Sequence, residues 1–384
     1  MTAALVFAAG AAFLAYVLAG YPVLLALRSR ERPEPGRSRL DVQEPSVTVL
    51  LAVRNGERWI RNKLRSILAL DYPRRLLQIL VISDGSDDAT EAAVREFAAE
   101  GVELIAIPRG GKASALNAGM ASATGDILFF TDVRQPLDRA AVRHLTASLA
   151  DPHVGVVSGE LVILDGASQA EANTGLYWRY EKWIRQRQSR IDSMTGATGC
   201  IYAMRRELAV PLPPNTILDD MYLPAGALLR GSRVVWNGAA KAYDDPAPLG
   251  AEFRRKVRTQ AGVYQLLRYY PQLLSPVHNR IWIHFVSHKL GRLLAPFALL
   301  AMAVSSYWLP PYWMGAQAAF YLAAAADPLI PESSAVKRLT SPARTFVVLM
   351  AAALCAASIV FVPETWFWKD AWKSARSSRT EARQ

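Results

Sequence analysis

Between Val47 and Thr131, apolar runs of strand length alternate with stretches of helical period, and this alternation constrains the fold more than any other feature. Val47–Val53 is a nearly continuous apolar run, as in a strand buried on both faces. Glu57–Leu70 has helical period. Leu77–Ser83 is the next strand and Asp87–Glu100 the next helix. Strand Glu103–Ile107, helix Lys112–Ser122 and strand Asp126–Thr131 follow. Such a βαβαβαβ run predicts an α/β domain with a parallel sheet covered on both faces. Val154–Leu164 continues as an extended segment broken at Ser158-Gly159. Open sheets of this kind bind ligands at the C-terminal ends of their strands. The strand Asp126–Thr131 delivers Asp132 to that edge. About ninety residues later Asp219-Asp220 opens a helix predicted to face the same edge.

The two ends of the chain differ from this middle. Residues 3–27 carry no charge and are long enough for a bilayer. They do not read as a signal peptide, because the apolar stretch is too long and lacks a basic start and a small-residue cleavage site. Leu293–Leu309, Tyr312–Ala326 and Phe346–Val362 are also apolar and near spanning length, separated by Pro310-Pro311 and Asp327-Pro328. The net charge of +11 follows from this layout, since many basic residues flank the apolar segments. A nucleic-acid partner is therefore not expected. Arg28, Arg30, Arg32, Arg37 and Arg39 after the first span place the middle of the chain in the cytoplasm and the N-terminus outside. The expected organisation is an N-terminal transmembrane helix (1–28), a juxtamembrane linker (29–45) and a cytoplasmic α/β domain (46–250). Interfacial helices (251–290), a membrane region of about three helices (291–368) and a basic tail (369–384) come after it. Three later spans would put the C-terminus outside, against the basic character of Lys369–Arg383. The two cysteines, Cys200 and Cys355, predict neither a disulfide nor a metal site, and the five histidines lack ligand spacing. Tyr177–Arg187 is aromatic and basic at helical spacing, suited to packing on the sheet or to lying near the membrane or an acceptor.

Several short motifs occupy the predicted strand ends. They are Val47-Thr-Val-Leu-Leu-Ala-Val-Arg54-Asn-Gly-Glu57, Val81-Ile-Ser-Asp84-Gly-Ser-Asp-Asp88, Gly111-Lys112-Ala-Ser-Ala-Leu-Asn117-Ala-Gly119, Phe129-Phe-Thr-Asp132 and Leu218-Asp-Asp220. In this order they resemble the family 2 glycosyltransferases, and most of all the membrane-anchored members related to chitin-oligosaccharide, cellulose and hyaluronan synthases. The resemblance covers roughly residues 45–260. It implies a GT-A type fold, Rossmann-like with a mainly parallel sheet, between N- and C-terminal transmembrane helices. It implies inverting transfer from a nucleotide sugar, UDP-linked, to a polysaccharide, oligosaccharide or lipid-linked acceptor. The setting is multi-pass, in the inner (plasma) membrane, in exopolysaccharide or cell-surface glycan synthesis. The alternatives are a glycolipid-forming glycosyltransferase and a catalytically inactive scaffold relative.

By resemblance, Arg54, Glu57, Asp84, Lys112, Asp132, Arg134 and Arg258 belong to the nucleotide-sugar site. Asp84 would accept a hydrogen bond from the base; a helix N-cap is its other reading. Asp87 and Asp88 read as first-turn acids. Arg109-Gly-Gly-Lys112 opens a helix, where glycines admit a ligand to the backbone and the helix start favours anions. Lys112 then partners the diphosphate, or is a solvated lysine. Asn117 orients a loop or caps a turn. Asp132 would hold Mg²⁺ or Mn²⁺, hard cations that prefer oxygen ligands. The family has Asp-x-Asp here, whereas this chain has Asp132-Val133-Arg134. The arginine removes a ligand and adds a charge that pairs well with phosphate, or it makes a surface ion pair. Asp220 matches the family's base, which takes the acceptor hydroxyl's proton. Asp219, with Gly199 and Cys200 of the loop Thr195–Arg206, belongs to the acceptor region. Arg255-Lys-Val-Arg258-Thr259 lies where processive relatives have Gln-x-x-Arg-Trp. Arg258 matches, but the tryptophan that floors the acceptor sugar is replaced by Thr259.

Overall fold

The computed structural model describes residues 1–30, 44–164, 169–245, 249–331, 333–364 and 366–367. Most of the expected linker and the whole basic tail lie outside these residues. The chain begins with α1 (Thr2–Ala15) and α2 (Tyr21–Ser29), joined through a π-helical turn into one helix, Thr2–Ser29.

The sheet follows. Its parallel half alternates β1 (Val47–Val53), α3 (Glu57–Leu68), β2 (Leu77–Asp84), α4 (Thr90–Arg95), β3 (Val102–Ile107), α5 (Lys112–Ser122) and β4 (Ile127–Thr131). The next elements are α6 (Ala141–Leu149), β5 (Val154–Ile163), α7 (Gln169–Ile191), β6 (Ile201–Arg205), α8 (Asp219–Leu229) and β7 (Arg233–Asp244). The seven strands run in the order β3-β2-β1-β4-β6-β5-β7. The first four are parallel, and β6 is antiparallel to both β4 and β5. The sheet is therefore mainly parallel. β7, which the sequence reading did not single out, pairs with β5 in parallel. The helix expected over Asp87–Glu100 is confined to α4, with Gly101 at φ +77° returning the chain to β3.

Period-two alternation divides the core. Val47, Val49 and Leu51 of β1 pack with Ile60, Leu64 and Ile67 of α3 on one face. Leu50 and Phe130 pack with Leu116 of α5 and Leu223 of α8 on the other. Both faces are dry, which is why the strands read as continuous apolar runs.

The C-terminal part comprises α9 (Leu249–Tyr269), α10 (Trp282–His284), α11 (Gly291–Ser305), α12 (Pro311–Ala326) and α13 (Lys337–Ala356). Among the described residues, three helices are long and apolar enough to cross a membrane: Thr2–Ser29, Trp282–Trp308 and Lys337–Val360. The second starts before the apolar run Leu293–Leu309, so it takes in His284, His288, Lys289 and Arg292. Between them α12, with 16 residues, rises only about 24 Å, less than a bilayer core of about 30 Å. The far end of the last helix comes back to the α/β domain. Ala356 and Ile359 pack with Ile217 and with Ala261 of α9, and Arg268 Nη2 donates to the Ile359 carbonyl at 3.2 Å. The end of this helix thus packs on the α/β domain and α9.

Candidate active site

Because β1, β2 and β4 are parallel and in register, Arg54, Asp84 and Asp132 leave the sheet at one edge. The loops there are laced together. Asn55, at φ +50°, donates from Nδ2 to Asp87 Oδ1 at 2.5 Å and accepts the Asp87 amide at 2.9 Å. Glu57 donates its amide to Asp88 Oδ2 at 3.2 Å and accepts the Ala89 amide at 3.4 Å. Asp87 and Asp88 thus tie the β1–α3 turn to the β2–α4 turn, beyond complementing a helix start.

Asp84 is buried, and it holds the glycine loop before α5. Its Oδ1 accepts the amides of Gly110 at 2.6 Å and Gly111 at 2.9 Å. Close approach requires glycine next door: a Cβ on Gly85 would stand 2.9 Å from the Arg109 nitrogen, at φ +57°. Gly111, at φ +87°, then sets the start of α5 and aims Lys112 inward. Asn117 bonds the Leu212 amide and carbonyl, at 2.8 and 2.9 Å, and so orients the loop that leads to α8.

Lys112 joins the two acidic motifs. Its Nζ lies 3.0 Å from Asp132 Oδ1 and 3.1 Å from Asp219 Oδ1. Burial works against a charged ammonium, but Asp132, Asp219 and Asp220 outweigh it and raise Lys112 above the lysine range. Asp219 is 6% exposed, and its Oδ2 makes no hydrogen bond among the described residues. The buried Tyr202 hydroxyl lies beside Asp219. Burial, then Asp219 and Asp220, raise its pKa well above the phenol value.

Asp220 stands against the loop Thr195–Arg206. The Ala197 amide donates to its carbonyl at 2.8 Å. Gly199 lies against its carboxylate, where a Cβ would come within 3.0 Å of Oδ2. Burial, then Asp219, push its pKa up to about 6, while Lys112 and Arg185 pull it down. Arg185, on α7, donates to Thr198 Oγ1 at 3.0 Å, and Ser158 Oγ donates to the same oxygen at 3.1 Å. The sequence reading did not name Arg185. Its signal was the basic, aromatic run that α7 carries.

The remaining residues separate. Arg258 of α9 is close enough for Asp132 and Asp220 to favour its charge, although burial lowers its pKa. Arg134 turns aside: its Nη2 is 2.5 Å from Asp244 Oδ2 at the end of β7, and Gln135 Nε2 donates to the same oxygen at 2.7 Å. Cys200 is a core residue whose thiol burial pushes up to about 12, and its carbonyl accepts the Thr131 hydroxyl at 2.8 Å. Lys63 of α3 is 1% exposed, and burial lowers its pKa to about 7. Its place on the apolar face with Ile60, Leu64 and Ile67 was the signal that would have found it.

No group of three or more His, Cys, Asp or Glu side chains suits a metal among the described residues. Asp132 is 39% exposed at its side chain and offers oxygen. With Arg134 turned away, the acids here fit a hard cation only when phosphate oxygens and water complete its shell.

Comparison with known proteins gives this geometry a family. Residues 48–210 match the model for Glycosyl transferase family 2. Over 131 residues the chain is 34% identical to the probable glycosyltransferase YdaM of Bacillus subtilis (strain 168), covering 32% of this chain and 31% of that one. Over 230 residues it is 26% identical to the poly-beta-1,6-N-acetyl-D-glucosamine synthase of Staphylococcus aureus (strain COL), covering 58% and 55%. The chain thus spans between about a third and about half the length of these curated relatives. Among solved structures, the mannosyltransferase PcManGT of Pyrobaculum calidifontis, in complex with GDP-Man and Mn²⁺, superposes at a TM-score of 0.72. That match covers 93% of this chain and 99% of the other at 22% identity, a likeness of fold. With the strand-end acids gathered around Lys112 on a mainly parallel sheet, these matches identify residues 48–210 as a family 2 glycosyltransferase domain.

Proposed function

We propose that this domain transfers a sugar, with inversion, from a nucleotide sugar to a glycan or lipid-linked acceptor at the cytoplasmic face of the inner membrane. The product class is an exopolysaccharide or another cell-surface glycan. One observation carries the reading: Asp220 is a carboxylate at the ligand-binding edge of the sheet, pushed up to about 6 and set against the small Gly199. A base poised near the working pH takes a proton efficiently, and the missing side chain at 199 leaves room for an acceptor beside it.

The donor lies on the Lys112 side. Lys112, held protonated, pairs with the diphosphate as it leaves, and Arg258 adds a second cation. Arg54 and Glu57 border the same edge. Asp84 serves the donor by holding Gly110 and Gly111, and its carboxylate has acceptor capacity left for the imide of a uracil base. Asp132 and the phosphate oxygens would hold Mg²⁺ or Mn²⁺, which screens charge on the departing diphosphate. Asp220 then takes the proton of the acceptor hydroxyl as that oxygen attacks the anomeric carbon from the opposite face. The three long apolar helices anchor the domain at the bilayer, where a growing glycan or a lipid carrier is at hand.

The relatives support the choice of donor class, since one is named as a synthase of an N-acetylglucosamine polymer. The test is release of nucleotide by purified protein from a panel of UDP- and GDP-linked sugars, with Mn²⁺ and a membrane-lipid extract, and mass analysis of products. Release that depends on the extract supports the reading. No release from any donor overturns it in favour of an inactive scaffold.

A further inference from the structure

Lys63 is a buried polar side chain that the proposed mechanism does not use. It lies in the helix under the sheet edge, behind Asp132, with its amine closed off from solvent. An amine there is costly unless its donors are used. Two are: Nζ donates to Thr131 Oγ1 at 2.7 Å and to the Gln135 carbonyl at 2.5 Å. These acceptors bracket Asp132-Val133-Arg134 on either side. The Thr131 hydroxyl passes the connection on, donating to the Cys200 carbonyl at 2.8 Å. Cys200 follows Gly199, the residue pressed against the Asp220 carboxylate. From the other side, Asp244 takes Arg134 and Gln135. The loop bearing Asp132 is thus clamped between the Lys63 amine and the Asp244 carboxylate, and the amine's chain of bonds continues to the loop that bears on Asp220.

We infer that Lys63 is a positioning residue for sugar transfer, which fixes the donor-side Asp132 at a set distance from the acceptor-side Asp220 through Thr131 and Cys200. This rests on the proposed roles of those two acids. A lysine suits the task because one amine reaches two acceptors separated by the loop itself. A purely apolar side chain would fill the same space more cheaply but would leave the Gln135 carbonyl without its buried donor. The geometry also assigns the effect to turnover rather than to donor binding. Lys63 touches no group that meets the nucleotide, whereas misplacing reacting groups by about 1 Å can cost on the order of 10²-fold in rate.

The test compares Lys63→Met, Thr131→Val and Thr131→Ser in purified protein, with melting temperature, kcat and donor KM measured for each. Methionine keeps the volume and removes the hydrogen-bonding amine; valine removes only the hydroxyl link. The expected result is a kcat lower by about 10- to 100-fold in Lys63→Met, at assay temperatures well below its melting point, with donor KM changed far less. Thr131→Val should fall in the same direction, and Thr131→Ser should recover most of the loss because it restores the hydroxyl. If Lys63→Met does not fold, the valine and serine pair decides alone. A folded Lys63→Met or Thr131→Val with wild-type kcat overturns the assignment while leaving the transferase reading intact. A wild-type protein that turns over no nucleotide sugar overturns both, and so separates the two failures.

Discussion

Arg134 Nη2 lies 2.5 Å from Asp244 Oδ2, so the guanidinium that replaces the family's second acid is drawn away toward the end of β7. Asp244 is buried, and Gln135 binds the same oxygen, which makes the pair part of the loop's scaffold. Direct contact of Arg134 with a phosphate would require it to leave Asp244. Arg134→Ala is expected to slow transfer by up to about tenfold, equivalent to about 1.4 kcal/mol in the barrier. Arg134→Asp should tighten the metal requirement, since it returns an oxygen ligand beside Asp132. Titrating Mn²⁺ against initial rate in the wild type and both variants checks this. Equal metal half-saturation in all three would mean that position 134 does not face the cation.

The state of Asp220 gives a pH prediction. Burial, then Asp219, raise its pKa to about 6, and a base works only when ionised. Below that value kcat/KM should fall about tenfold per pH unit, and above it the rate should level off, with Lys112 protonated throughout. Arg185 is one of the two cations that hold Asp220 down. Arg185→Met should therefore move the acid limb to higher pH, whereas a limb that stays in place would detach Arg185 from the base.

Much of this was legible in the sequence because the relevant physics is local. A strand buried on both faces writes itself as an apolar run, and Val47–Val53 and Ile127–Thr131 did so. The acids at their ends could be placed on one edge from the alternation alone. β7 was harder. It starts with Val234, Val235 and Trp236 but then runs through Asn237 and Gly238, and it is held in the sheet by β5. The clamp on Asp132 was also hidden, because Lys63, Gln135 and Asp244 are far apart in sequence and meet only when the sheet closes. Asp84 shows the limit of a resemblance. Its position was legible, but its bonds to Gly110 and Gly111 depend on the loop's backbone path.

Topology offers an independent test. The helix Lys337–Val360 ends against Ile217 of the sheet domain and Ala261 of α9, and α12 is short for a span. If the sheet domain is cytoplasmic, as proposed, the tail after Val360 is expected inside, where its basic residues are favoured. A cysteine placed near Gln384 should be protected from an impermeant thiol reagent in intact cells and labelled after lysis. Labelling of intact cells would require α12 to cross the bilayer.

Asp220 is proposed to take the acceptor's proton. The most direct measurement is donor turnover by Asp220→Asn, alongside its affinity for the nucleoside diphosphate. Asparagine keeps the shape against Gly199 and cannot act as a base. Nucleotide affinity is predicted to stay near the wild type while turnover falls by about 10²–10⁴-fold. Turnover close to the wild type, with binding intact, would contradict the account.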